Sequence, residues 1–209
     1  MIWLPLLVAL TSPNLESLIA LLTKYPAWEA NFSQTFVPVG FSTGAKEKGI
    51  FTFSHPSRLR FDYTSHPKRI FALDGTQARL LDVEVRTCQT YTLGEGAWAA
   101  LPLVVLTDPG AMAQLFDVEE QAPTIVLRPR KEIPEVARVE LVLGDDGLPR
   151  QLTVLDLSGN ENRFSFWQWR AGKKIESRFF SPSLAGGPPC TSGETQTNFL
   201  GFPSRLASE

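Results

Sequence analysis

The stretch from Gly49 to Asp82 leaves this chain few ways to fold. It runs G-I-F-T-F-S-H-P-S-R-L-R-F-D-Y and then, past Thr64 and Ser65, H-P-K-R-I-F-A-L-D-G-T-Q-A-R-L-L-D. Side chains alternate across a strand, so Phe51 and Phe53 share one face. Leu59, Phe61 and Tyr63 share a face of the next strand, with Arg58, Arg60 and Asp62 opposite. The connections at His55-Pro56, His66-Pro67 and Asp74-Gly75 are too short for crossover helices, which predicts an antiparallel meander. A curved sheet with one broad aromatic face suits the holding of an apolar ligand better than the making or breaking of bonds.

Similar signals extend the sheet in both directions. From Trp28 the period is two, with Phe32, Gln34 and Phe36 on one face and Asn31, Ser33 and Thr35 on the other. Further strands are expected over 48–54, 58–64, 68–74, 77–83 and 86–92, then over 115–121, 124–130, 136–143, 148–156, 161–170 and 175–181. Phe164, Phe166, Trp167 and Trp169 make one of these aromatic on both faces, as in a strand covered on both sides or one contributing to a cavity wall. Before the sheet, Ser12-Pro13 is a helix start, and Leu15, Leu18, Ile19 and Leu22 form one apolar stripe ending before Pro26. From Trp98 two short apolar stretches are split by Asp108-Pro109-Gly110. Each is too brief to stand alone, so they form either a movable plug over the sheet or a permanent covering layer. After Ser183 the chain is rich in Gly, Pro, Ser and Thr, a tail that only Cys190 and the segment Phe199 to Phe202 could anchor.

A chain of 209 residues supports one domain with a substantial core. A net charge of -2 argues against a nucleic-acid surface built on bulk positive charge. Fourteen Phe and five Trp against two His weight the inventory toward binding and away from acid–base work. The start, M-I-W-L-P-L-L-V-A-L-T-S-P, is too short an apolar run to span a membrane; residues 1–12 are either an export signal or an extension of the helix that follows. Cys88 and Cys190 are either disulfide-bonded, closing a long loop, or two separate thiols. His55 and His66 lack partners at metal-ligand spacing, and Asp74, Asp82 and Glu84 cap turns. With no hydrolase, phosphate-loop or dinucleotide motif in the chain, no enzyme activity, metal or cofactor is expected.

The strings around Gly49–Tyr63 and Leu73–Asp82, F-S-Q-T-F at Phe32 to Phe36, D-D-G-L-P-R-Q-L-T-V and F-F-S-P near Pro182 together resemble the LolA family of periplasmic outer-membrane lipoprotein carriers. The likeness covers residues 13–185, leaving a tail over 186–209, and it rests on the order and spacing of the segments. It implies an open, unclosed antiparallel β-barrel of about eleven strands, with a helical lid over an apolar cavity. It also implies a function without covalent chemistry. A monomer would accept lipoprotein acyl chains, or another lipid, from an inner-membrane transporter, shield them in the periplasm, and pass them to an outer-membrane acceptor. Phe32, Phe36, Phe51, Phe53, Leu59, Phe61, Tyr63, Phe164 and Phe166 are the candidate cavity lining, and Leu101, Leu103, Val104, Met112 and Leu115 the candidate lid.

The chain differs from the family pattern in three places. His55 stands where the family has an Arg linked to lid closure and release, which makes it the gating candidate. Leu59 replaces an aromatic, and Arg79 and Leu81 replace a Trp and a Tyr. Other readings of the same pattern are a lipid-sensing regulatory module of the same fold, a binding or structural module whose helices seal the core for good, and an enzyme on apolar substrates.

Overall fold

The computed structural model describes residues 13–92, 114–133 and 136–192. Helix α1 (Pro13–Thr23) is followed by β1 (Ala27–Val37), β2 (Ala45–Ser54), β3 (Arg58–Tyr63), β4 (Arg69–Asp74), β5 (Gln77–Asp82) and β6 (Thr87–Thr92). After residues 93–113 come β7 (Phe116–Gln121), β8 (Thr124–Pro129), β9 (Arg138–Leu143), β10 (Pro149–Leu155) and β11 (Glu161–Gly172). A 3-10 turn at Ser177–Phe180 and a short β12 (Thr191–Ser192) complete the described chain. All strands belong to one open sheet ordered β12-β6-β5-β4-β3-β2-β1-β11-β10-β9-β8-β7. Every pairing is antiparallel except that of β12, whose two residues run parallel to Gln89 and Thr90 of β6.

The concave side carries the core. Leu15, Leu18 and Leu22 of α1 are buried in one cluster with inward residues of β1 to β5 and β7 to β11. Gly49 permits a close crossing: a Cβ there would lie 1.9 Å from the Asp62 carbonyl oxygen and 2.9 Å from the ring of Phe32, its cross-strand neighbour.

The strand expected over 175–181 does not form. From Gly172, opposite Ala27 at the start of β1, the chain leaves the sheet, and burial of Phe180 against the outer face takes the place of edge pairing. The chain instead crosses the outer face of β3 to β6 as a strap. Phe180 is fully buried there. Ala72, Leu81 and Cys88 are also buried, on the sides of their strands facing away from the concave cluster. Arg60 donates to the Phe179 carbonyl at 2.7 Å and its guanidinium carbon sits 4.3 Å from the Phe179 ring centre. Arg79 donates to the carbonyls of Ser181 and Pro182 at 2.9 and 3.2 Å. The first seven residues of the tail expected from 186 are described as far as Ser192: Cys190 is disulfide-bonded to Cys88 of β6 with a Cα–Cα distance of 4.5 Å, and Thr191 and Ser192 pair with Gln89 and Thr90.

That bond spans 102 residues. In the chain-entropy account it stabilises the fold by about 4.7 kcal/mol. Reduction, or Cys88→Ser with Cys190→Ser, is expected to lower the urea midpoint accordingly and to speed amide exchange across β6. An unchanged midpoint would show that the strap's other contacts suffice.

Candidate functional site

The inner wall is built from rings on neighbouring strands. Phe61 sits at its centre, with ring centres 4.7 Å from Phe51, 5.0 Å from Phe32, 5.7 Å from Phe164 and 6.5 Å from Phe71. Phe51 also meets Phe166 at 5.5 Å. Such contacts between rings add to the burial of their surfaces. Phe53, Leu59 and Tyr63 continue the wall, so that every candidate lining residue except Phe36 is buried in the one cluster. Phe36 is only half-buried and lies outside the cluster, because the inward side of β1 turns polar at Gln34.

Period-two alternation would send Trp169 outward with Trp167. A bulge intervenes. Asn31 pairs with Trp167 and Glu29 with Arg170, so Gln168 and Trp169 together oppose Ala30, and Gln168 takes φ 57. The shift turns Trp169 inward, where it meets Phe166, Phe51 and Trp28 at 5.5, 6.0 and 6.3 Å and donates to the Pro149 carbonyl at 2.8 Å. Trp167 stays on the outside, so β11 is not aromatic on two covered faces.

Helix α1 closes this wall and is fastened at both ends. The Leu22 carbonyl, one of the groups a helix C-terminus leaves unpaired, accepts from the Trp28 indole at 2.9 Å and from His55 Nε2 at 2.8 Å. A carbonyl only accepts, so His55 Nε2 is the donor. At the other end the backbone N–H groups of Asn14 and Leu15 donate to the two carboxylate oxygens of Glu120 at 3.1 and 3.0 Å. A carboxylate there also meets the positive end of the helix dipole. Glu120 is on β7 and Trp28 on β1, five intervals apart in the sheet order, so α1 bridges that half of the concavity. The Ser12 cap expected from sequence and the lid candidates Leu101, Leu103, Val104 and Met112 lie outside the described residues. Leu115, the remaining lid candidate, is half-buried and packs against the core cluster.

Away from α1 the wall ends in a buried polar chain. Tyr63 donates its hydroxyl proton to Gln34 Oε1 at 2.5 Å, and Gln34 Nε2 donates to Asn162 Oδ1 at 2.9 Å. Glu47 and Arg69 form an ion pair beside it, with the Arg69 guanidinium carbon 5.3 Å from the Tyr63 ring centre. Burial pushes the Tyr63 phenol well above its ordinary range; the Glu47 carboxylate adds to this and Arg69 opposes it. The hydroxyl therefore remains a donor.

His66 is in an exposed turn, where it pairs with Glu84 at 2.5 Å and holds that carboxyl below its usual range. Arg79 holds the strap on the outer face and Leu81 is buried beneath it, so neither of these departures from the family pattern touches the inner wall. Among the described residues no group of three or more His, Cys, Asp and Glu is placed to hold a metal. Reading by sequence missed Trp28, Phe71, Trp169 and Glu120. Phe71 was available from alternation in β4, whereas Trp169 needed the bulge and Glu120 the tertiary pairing.

An open sheet curled around an apolar concavity, with a short helix tied across it, defines the class: a helix-capped, unclosed β-barrel. Known proteins take this further. The family of the outer membrane lipoprotein carrier protein LolA matches residues 23–183, and the chain belongs to that family. An outer-membrane lipoprotein carrier protein of Xanthomonas campestris pv. campestris (strain B100) is 26% identical over 149 residues, covering 68% of this chain and 70% of that protein. One from Methylibium petroleiphilum is 25% identical over 173 residues, covering 79% and 83%. An uncharacterized conserved protein from Thermus thermophilus has a similar crystal structure, with a TM-score of 0.51 at 8% identity over 85% of this chain and 98% of that one, a likeness of fold alone.

Two measurements follow from this geometry. Replacing His55 or Glu120 with Ala removes one fastening of α1, each contributing about 1 kcal/mol. Exchange of the α1 amides should quicken severalfold while that of β1 and β11 holds; unchanged α1 exchange would show the fastenings to be incidental. For Tyr63 the raised folded pKa gives a stabilisation that is complete below the unfolded value of 10.0 and is lost as pH climbs through the folded value. Phenolate absorbance compared between wild type and Tyr63→Phe should therefore differ only well above pH 10. A difference already complete near 10 would contradict the buried assignment.

Proposed function

We propose that this protein is a periplasmic carrier that holds the acyl chains of lipoproteins, or a related lipid, against the wall now covered by α1. The observation that supports this most is the arrangement itself: a continuous aromatic and aliphatic face covered, among the described residues, by a helix of eleven residues held by a few polar contacts at its ends. Membership of the carrier family agrees with the reading, and so does the disulfide, which suits an oxidising compartment. The donor is an inner-membrane transporter and the acceptor an outer-membrane protein, as in the family. The carrier works as a monomer and makes or breaks no covalent bond.

In this reading affinity is a difference of two burials. Uncovering Leu15, Leu18 and Leu22 costs roughly 2 kcal/mol each. That equals the transfer of about eight methylenes at about 0.8 kcal/mol each. A long acyl chain therefore displaces α1 with a surplus, whereas a short one does not. The helix offsets enough of the binding free energy for cargo to be surrendered to a better site, and His55 and Glu120 set how readily it lifts.

A synthetic palmitoylated lipopeptide added to the purified protein tests this. Saturable binding is expected, with loss of exchange protection in α1 and increased protection of β1 to β3. Binding with α1 protection unchanged would overturn the displacement mechanism, and no binding at all would overturn the carrier reading.

A further inference from the structure

The sheet has two rims of opposite character. At one rim lie α1, His55 and the β9–β10 turn, whose Gly147 meets Leu21. The strand registers place the β1–β2, β3–β4, β5–β6, β8–β9 and β10–β11 connections at the other rim. Of the seven large apolar side chains exposed among the described residues, five are on this second rim: Val39 (58% exposed), Phe41 (70%), Leu157 (58%), Val83 (42%) and Val85 (68%). They occupy the tips of three separate turns. Two of those tips are joined, since the Val39 N–H donates to Asn160 Oδ1 at 2.9 Å and Val39 packs beside Gly159.

The charges of this rim are sorted. Around these three turns the acids are engaged: Glu47 with Arg69, Glu84 with His66, Asp82 with the N–H groups of Glu84 and Val85, and Asp156 with those of Ser158 and Asn160, while Lys131 and Glu132 are both exposed on the β8–β9 connection of the same rim. Lys46 and Lys48, on the strand leaving the Phe41 loop, are exposed and make no ion pair among the described residues. Lys68 and Arg86 are exposed beside Val83 and Val85. The basic part of this rim is therefore local, at Lys46 and Lys48 beside the Phe41 loop, in a chain whose net charge is -2.

We infer that this rim docks on the surface of an anionic lipid bilayer, inserting Phe41, Val39 and Leu157 between headgroups while Lys46 and Lys48 face the phosphates. Apolar side chains raised on separate turns with cations around them match an interfacial bilayer contact. A protein interface would instead be depleted in Lys and contiguous at its centre. Docking this way leaves the α1 rim turned from the bilayer and open to a partner. The inference is independent of what the concavity holds.

The test is flotation of the full chain with phosphatidylglycerol–phosphatidylethanolamine vesicles and with phosphatidylcholine vesicles. Wild type should partition to the anionic vesicles, less so at high salt. Phe41→Ser with Leu157→Ser should weaken partition roughly tenfold. Lys46→Gln and Lys48→Gln should each weaken it by about fivefold, on anionic vesicles only. Tyr25→Ser and Trp167→Ser, exposed away from this rim, should leave it unchanged, and lipopeptide binding and thermal melting should be unaltered in all the rim variants. Absence of partition in wild type, or equal partition of wild type and rim variants, overturns the inference. So does a photo-crosslinker at position 41 that captures an envelope protein while vesicles are not bound, which assigns the rim to a protein partner.

Discussion

The inner face of this sheet is too apolar to be left against water, and the structure is organised around covering it. Eleven antiparallel strands turn alternate side chains inward, and Phe32, Phe51, Phe61, Phe164 and Phe166 meet there as one aromatic wall. Closing the barrel would bury the wall for good and remove its edges. Left open, it needs a lid, and α1 supplies three leucines. A helix of eleven residues is marginal in water, so α1 holds its shape only while it lies on the sheet. Each depends on the other, and the proposed carrier role rests on that dependence.

The fastenings of α1 differ in kind from its packing. Burial of Leu15, Leu18 and Leu22 is non-directional and would tolerate a sliding helix. Trp28 and His55 at one end and Glu120 at the other act on single backbone groups, so they fix where the helix begins and ends. They contribute little beside the leucines, yet they separate a lid from a smear of apolar contacts. His55, the gating candidate, is one of these fastenings.

The outer face is handled in the opposite manner. There the strap is held by a buried Phe180, by Arg60 and Arg79 bonded to its carbonyls, and by a disulfide. The outer cover is held covalently, whereas α1 on the inside is held by packing and hydrogen bonds. The half from β3 to β6 is braced, whereas the half from β7 to β10 carries no such strap among the described residues. Arginine suits this role because a guanidinium can stack on a ring and donate to a carbonyl at once.

Much of this was legible in the residues alone. Alternation located the strands of the meander and named Phe51, Phe53, Leu59, Phe61 and Tyr63 as one surface, because the period of a strand is set by backbone geometry and not by distant contacts. The stripe of α1 was equally local. Three things were decided only by the tertiary structure. The bulge that turns Trp169 inward depends on β1 and β11 being neighbours 137 positions apart, as the Asn31–Gln168 contact shows. The strap took the place of an expected strand, with Phe180 buried on the outer face of the sheet. Glu120 found the start of α1 across 106 residues. Local pattern determines which face a side chain takes; which faces then meet is settled by how far the sheet curls, and no short window of residues carries that information.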